Sequence, residues 1–134
     1  MPMTNPKSPT PVTAPADDDS DDTGGLACVL VFNASDPSGA GGLSADVSAI
    51  ASVGAHALPV VTGAYVRDTA EIFEHFSFDE EAVAEQARTI LEDVPVQVIK
   101  VGFAGNPEAL SAIAEIAADY AGRIVLVSDG VETD

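Results

Sequence analysis

Leu26-Ala27-Cys28-Val29-Leu30-Val31-Phe32, then Asn33-Ala34-Ser35-Asp36-Pro37-Ser38-Gly39-Ala40-Gly41-Gly42, then Leu43, Val47, Ile50 and Ala51 at helical spacing, is the stretch that decides the fold class. The first run is continuous, apolar and rich in β-branched residues, the pattern of a strand buried on both faces. The second is dense in turn formers, and the third repeats with the period of one helix face. Gly54 stands where a helix C-cap belongs, and Ala57–Tyr65 supplies a second apolar strand with Pro59 near its start. Together these stretches read as a βαβ unit, whose parallel strands need a covering crossover helix.

The alternation continues outward. Ser77 with Glu80 makes a capping box, and Val83, Ala87, Ile90, Leu91 and Val94 share one face of the helix that Pro95 ends. Val96–Val101 is a third strand. Asn106 then caps a helix with Pro107 in its first position and Leu110, Ile113, Ala114 and Ala117 facing inward, and Gly122 closes it. Ile124–Val127 is a fourth strand. The order β-α-β-α-β-α-β predicts a three-layer α/β/α architecture on a mostly parallel central sheet. No helix follows the fourth strand to cover it. Residues 26–134 are therefore expected to be the N-terminal part of a larger α/β domain, truncated after that strand.

Residues 1–25 differ in kind. Pro2, Pro6, Pro9, Pro11 and Pro15 interrupt every helical stretch, and Asp17, Asp18, Asp19, Asp21 and Asp22 repel one another, so a disordered tail is expected there. Over the whole 134 residues, 22 acids against five bases give a formal charge of −17, which argues against nucleic-acid and anionic-membrane partners. With 46% apolar residues the chain can bury a core. No apolar run approaches the roughly 20 residues of a spanning helix, so a cytoplasmic protein is expected. Cys28 is the one cysteine and lies inside the first strand, where a thiol packs as a small apolar group. His56 and His75 are too far apart to form a helical metal pair, and no metal site is expected.

Chemistry is expected at the first loop. Ligands of open α/β sheets bind beyond the C-terminal ends of the strands, and the amides of Gly39, Gly41 and Gly42 can cradle an anion or polar group there. The loop has neither the G-x-G-x-x-G spacing of a dinucleotide site nor the Lys-Ser/Thr ending of a P-loop. A tight turn without a ligand fits the composition equally well.

The longer string Ser35-Asp36-Pro37-Ser38-Gly39-Ala40-Gly41-Gly42-Leu43-Ser44-Ala45-Asp46, with Gly54-Ala55-His56-Ala57, Val60-Val61-Thr62 and Lys100-Val101-Gly102-Phe103, resembles the hydroxymethylpyrimidine/phosphomethylpyrimidine kinases. These belong to the ribokinase-like superfamily, and the similarity runs over about Leu26 to Val127. The resemblance implies ATP-dependent phosphorylation of hydroxymethylpyrimidine or its monophosphate in thiamine biosynthesis, with Mg²⁺ accompanying ATP. It places Asp46, Gly102 and Phe103 at the substrate and Asp36, Ser38, Gly39 and Gly41 in the loop beside it. Arg67 stands where the family carries a pyrimidine-reading glutamine, and a guanidinium, which only donates, puts the substrate in question.

Blander roles stand beside these. Asp46 can be a solvated helical acid, Asp36 can cap its own turn, and Arg67 can pair with Asp68, Glu71 or Glu74 at the surface. Glu71, Glu74, Asp79, Glu80, Glu81 and Glu85 read as a solvated face and helix N-terminal charges. The family's catalytic residue and most of its nucleotide site lie in a C-terminal half outside this sequence, so the catalytic residue is unknown and the chain alone is expected to be inactive. The resemblance leaves a homodimer open. The alternative functions are a diverged or truncated, non-catalytic α/β module that binds a ligand or protein, and a kinase for a related pyridine alcohol such as pyridoxal.

Overall fold

A computed structural model describes residues 26–120, in which β1 (Cys28–Ser35), α1 (Gly42–Ser52), β2 (His56–Arg67), β3 (Ile72–Ser77), α2 (Glu80–Asp93), β4 (Val98–Val101) and α3 (Pro107–Asp119) follow one another. The expected tail at 1–25, the helix end at Gly122 and the strand at Ile124–Val127 lie outside the described residues.

The four strands form one sheet in the order β3-β2-β1-β4. β1 is central and parallel to both neighbours, with Leu30 paired to Leu58 on one side and to Ile99 on the other. Burial on both faces follows: Leu30, Val31 and Phe32 are wholly inaccessible to solvent. Leu30 and Phe32 join Leu58, Val60, Ile99 and Val101 under Val83 and Ala87 of α2 and Ile113 and Ile116 of α3. The opposite face carries α1. The predicted three-layer α/β/α arrangement is thus present, on a mixed sheet.

β3 is the element that the sequence reading lacked. It runs antiparallel to β2, in a ladder from Gly63 opposite Ser77 to Arg67 opposite Ile72. Asp68 closes the connection, its Oδ1 accepting from the amides of Ala70 and Glu71 at 2.8 and 2.9 Å. Those backbone bonds hold the Asp68 carboxyl below its usual range. β2 is accordingly longer than the expected Ala57–Tyr65 and ends on Arg67.

Three helix readings shift. The N-cap of α2 is Asp79, which accepts from the Ala82 amide at 2.8 Å, while Ser77 ends β3 and donates to the Gly105 carbonyl at 2.9 Å. Asn106 caps α3 as expected, but the buried stripe is Ala109, Ile113, Ile116 and Ala117, leaving Leu110 and Ala114 exposed. In α1 the one buried residue is Asp46, with Leu43 and Ile50 half-buried on the same face, so Val47 and Ala51 turn outward. An ion pair beneath Asp46 sets that rotation. The third strand starts at Val98 rather than Val96.

One side chain seals the sheet edge where β3 has not yet begun to pair. Gln86 of α2 accepts from the Val61 amide at 3.0 Å and donates to the Val61 carbonyl at 2.8 Å. Gln86→Leu leaves both groups without their partner and is expected to cost about 2 kcal/mol in urea unfolding.

Candidate functional site

The candidate site lies at the C-terminal ends of the parallel strands. Pro37 and the glycines turn the chain sharply out of β1, and Asp36, almost wholly buried, organises the turn. Its Oδ1 accepts from the Ser38 amide at 2.9 Å and the Ser38 hydroxyl at 2.8 Å, and its Oδ2 accepts from the Gly41 amide at 3.0 Å. The Gly39 amide donates to the Asp36 carbonyl at 3.0 Å. Of the amides of Gly39, Gly41 and Gly42, expected to cradle an external anion, that of Gly41 is occupied from within by the Asp36 carboxylate, which acts as the loop's own anion, and that of Gly39 by the Asp36 backbone carbonyl. Gly42 has φ +63°, and a Cβ there would collide with the Ala34 carbonyl oxygen, so this position requires glycine.

Arg67, at the end of β2, reaches this loop. Its Nη1 lies 3.3 Å from Asp36 Oδ2 and its Nε donates to the Asp68 carbonyl at 2.9 Å. The expected surface pairing with the side chains of Asp68, Glu71 or Glu74 is replaced by this bond to the buried carboxylate. The length of β2 explains the difference, since it carries Arg67 over the loop.

Burial opposes the Asp36 carboxylate. The Ser38 hydroxyl and amide, the Arg67 charge and the Gly41 amide together outweigh it and hold the carboxyl below its ordinary 3.8. A depressed folded-state value means that the unfolded chain binds the proton more readily, so this stabilisation is present above pH 3.8 and is lost as pH falls through the folded-state value. Urea unfolding between pH 6 and pH 3 is expected to show a steeper loss for the wild type than for Asp36→Asn. Equal slopes would refute the assignment.

Asp46 is not a solvated helical acid. Its Oδ1 accepts from Lys100 Nζ at 2.7 Å and its Oδ2 from Asn33 Nδ2 at 2.8 Å, so both carboxylate oxygens are engaged by the protein. Lys100 comes from β4 and Asn33 from β1, which places the trio between α1 and the sheet.

Phe103 and Gly102 follow β4. The Gly102 amide donates to the Phe32 carbonyl at 2.8 Å, which extends the sheet bonding and turns the loop across the end of β1. The Phe103 ring meets Tyr65 with centroids 5.4 Å apart and His75 edge-on at 5.0 Å. Tyr65 and His75 are cross-strand partners on β2 and β3. The structure thus gathers Asp36, Ser38, Gly39, Gly41 and Arg67 into one group and Phe103 with Tyr65 and His75 into another, two residues apart along β2. Tyr65 and His75 escaped the sequence reading because their meeting depends on β3. Cys28 has its thiol pushed up by burial, in keeping with packing.

Comparison with known proteins covers the same region. A family model described as phosphomethylpyrimidine kinase matches residues 36–132. The hydroxymethylpyrimidine/phosphomethylpyrimidine kinase of Streptomyces coelicolor is 29% identical over 90 residues, 67% of this chain and 34% of that protein. The chain therefore spans about a third of that relative. The crystal structure of a phosphomethylpyrimidine kinase from Clostridium difficile superposes with a TM-score of 0.72 at 26% identity, covering 81% of this chain and 46% of that one. A pyridoxal kinase from Staphylococcus aureus, solved in complex with AMP-PCP and pyridoxal, shares the fold at a TM-score of 0.70 and 22% identity, over 81% of this chain and 40% of that one. From the Asp36 turn, through the parallel strands that present it, to a family match covering well over half of its residues, the chain belongs to the phosphomethylpyrimidine kinase family.

Proposed function

We propose that this chain forms the substrate-side wall of a kinase that transfers phosphate from ATP, with Mg²⁺, to hydroxymethylpyrimidine or its monophosphate in thiamine biosynthesis. The observation that carries the reading is the convergence, at the C-terminal ends of β1 and β2, of the Asp36 turn with Arg67 and of the Phe103, Tyr65 and His75 rings, within the stretch matched by the family model. Aromatic faces beside a few fixed polar groups suit a planar heteroaromatic alcohol. In this reading Phe103 covers the ring, Arg67 donates to a ring acceptor or anionic substituent, and the turn from Asp36 to Gly41 shapes the wall.

The nucleotide fits the described residues poorly. Arg67 and Lys100 are each paired with a carboxylate, and among the described residues no three His, Cys, Asp or Glu side chains converge to hold a metal ion. No step of phosphoryl transfer is assigned to them. ATP would supply the transferred group when bound, and the chain's own residues would bind and orient the acceptor. Small molecules are the partners in this reading. Among the described residues no helix is long and apolar enough to cross a membrane.

Thermal unfolding of the full chain with hydroxymethylpyrimidine, its monophosphate or pyridoxal tests the reading. A ligand at 100 times its Kd is expected to stabilise the chain by about 2.7 kcal/mol. A shift with pyridoxal alone moves the substrate to a pyridine alcohol, as the shared pyridoxal kinase fold allows. No shift with any of the three overturns the proposal. With ATP and Mg²⁺ present the purified chain is expected to form no phosphorylated product, and product formation would overturn its restriction to the substrate side.

A further inference from the structure

Two polar side chains sit where the interior of the sheet is otherwise apolar. Asn33 of β1 is 2% exposed and Thr62 of β2 is wholly buried. A valine or leucine at either place would avoid the cost of desolvating polar atoms. Each reaches the same distant residue with its side-chain oxygen. Asn33 Oδ1 accepts from the Phe103 amide at 3.2 Å, and Thr62 Oγ1 donates to the Phe103 carbonyl at 2.6 Å.

We propose that Asn33 and Thr62 are positioning residues that clamp the Phe103 backbone from both sides and so hold its ring against Tyr65 and His75. The proposal rests on the reading of this site as a binder of a planar heteroaromatic alcohol. Asp46 fixes the sense of the Asn33 amide: a carboxylate only accepts, so the NH₂ faces it and the oxygen faces the Phe103 amide. The same oxygen holds the Ala34 amide at 2.8 Å, and Lys100 holds Asp46 in turn. The Phe103 ring is therefore tied through Asn33 to α1 and β4 and through Thr62 to β2. A ligand that stacks on a ring already fixed in place loses no affinity to ordering it.

Three measurements on the full chain test this. In the unliganded wild type the Phe103 amide is expected to be protected from hydrogen exchange, and exchange at the rate of an open loop amide would overturn the clamp without any substitution. Thr62→Val, nearly isosteric, is expected to move the His75 ring proton resonances toward those of free histidine and to weaken hydroxymethylpyrimidine binding about fivefold in calorimetry. Thr62→Ser, which keeps the hydroxyl, is expected to restore both. If Thr62→Val retains wild-type His75 shifts and affinity while Phe103→Ala loses both, the positioning role is refuted. Failure of the wild type to bind the pyrimidine would count against the proposed function alone, because exchange and the His75 resonances decide the clamp without a ligand.

Discussion

Asp46→Ala is expected to lower the unfolding free energy by about 3 kcal/mol, measured by urea denaturation at neutral pH. The side chains of Asp46 and Lys100 are 10% and 23% exposed, and their charged atoms lie 2.7 Å apart. Removing one partner of such a pair takes the carboxylate at 2.7 Å away from the Lys100 ammonium in a poorly solvated place, which costs far more than the intact pair contributes. The 2.8 Å bond from Asn33 Nδ2 to Asp46 is lost at the same time. The partial exposure of Lys100 sets the effect at the lower end of the range for buried pairs. The double variant Asp46→Ala with Lys100→Met separates the causes, since methionine keeps the apolar stem and removes the ammonium charge. It should recover part of the loss. A double variant no more stable than Asp46→Ala alone would show that the pair is not the source.

Gly63→Ala is expected to cost a further 3 kcal/mol or so by a different route. A Cβ at Gly63 would collide with the Phe76 carbonyl oxygen and would stand 3.0 Å from Ser77 Cα, both of them backbone atoms of β3 that cannot rotate away. β3 must then move off β2 at the first rung of their ladder, where Gly63 faces Ser77. The bond from the Phe78 amide to the Thr62 carbonyl at 2.9 Å lies just beyond and would loosen with it. Amides of β2 and β3 should exchange faster, and the His75 ring should lose its contact with Phe103. Wild-type stability together with unchanged His75 resonances would sink the prediction.

What the amino-acid sequence makes legible divides along physical lines. β1, its loop and the start of β2 were legible because an apolar run buried on both faces and a Gly-rich turn are local signals. Arg67, Phe103 and the Asp36 turn were marked by motif, and the structure brings Arg67 onto Asp36. β3 was not legible, since Ile72-Phe73-Glu74-His75-Phe76-Ser77 shows no alternation and every residue of it is exposed. It forms because Asp68 folds the chain back onto an overlong β2, a tertiary cause without a sequence period. Asn33 and Thr62 were missed as site residues because their partner lies 70 and 41 positions away. The facing of α1 is hidden from the sequence for a related reason. Apolar spacing predicted Val47 inward, but the Asp46–Lys100 pair, invisible to hydrophobic periodicity, turns the helix.

The self-contained turn at Asp36 bears on the rate of ligand association. With the amides of Ser38, Gly39 and Gly41 already bonded within the loop, this turn is closed before a ligand of the proposed site arrives. In the proposed function, ordering of this turn should therefore add no slow phase to encounter at the wall. Differences among ligands would then lie in how long each stays.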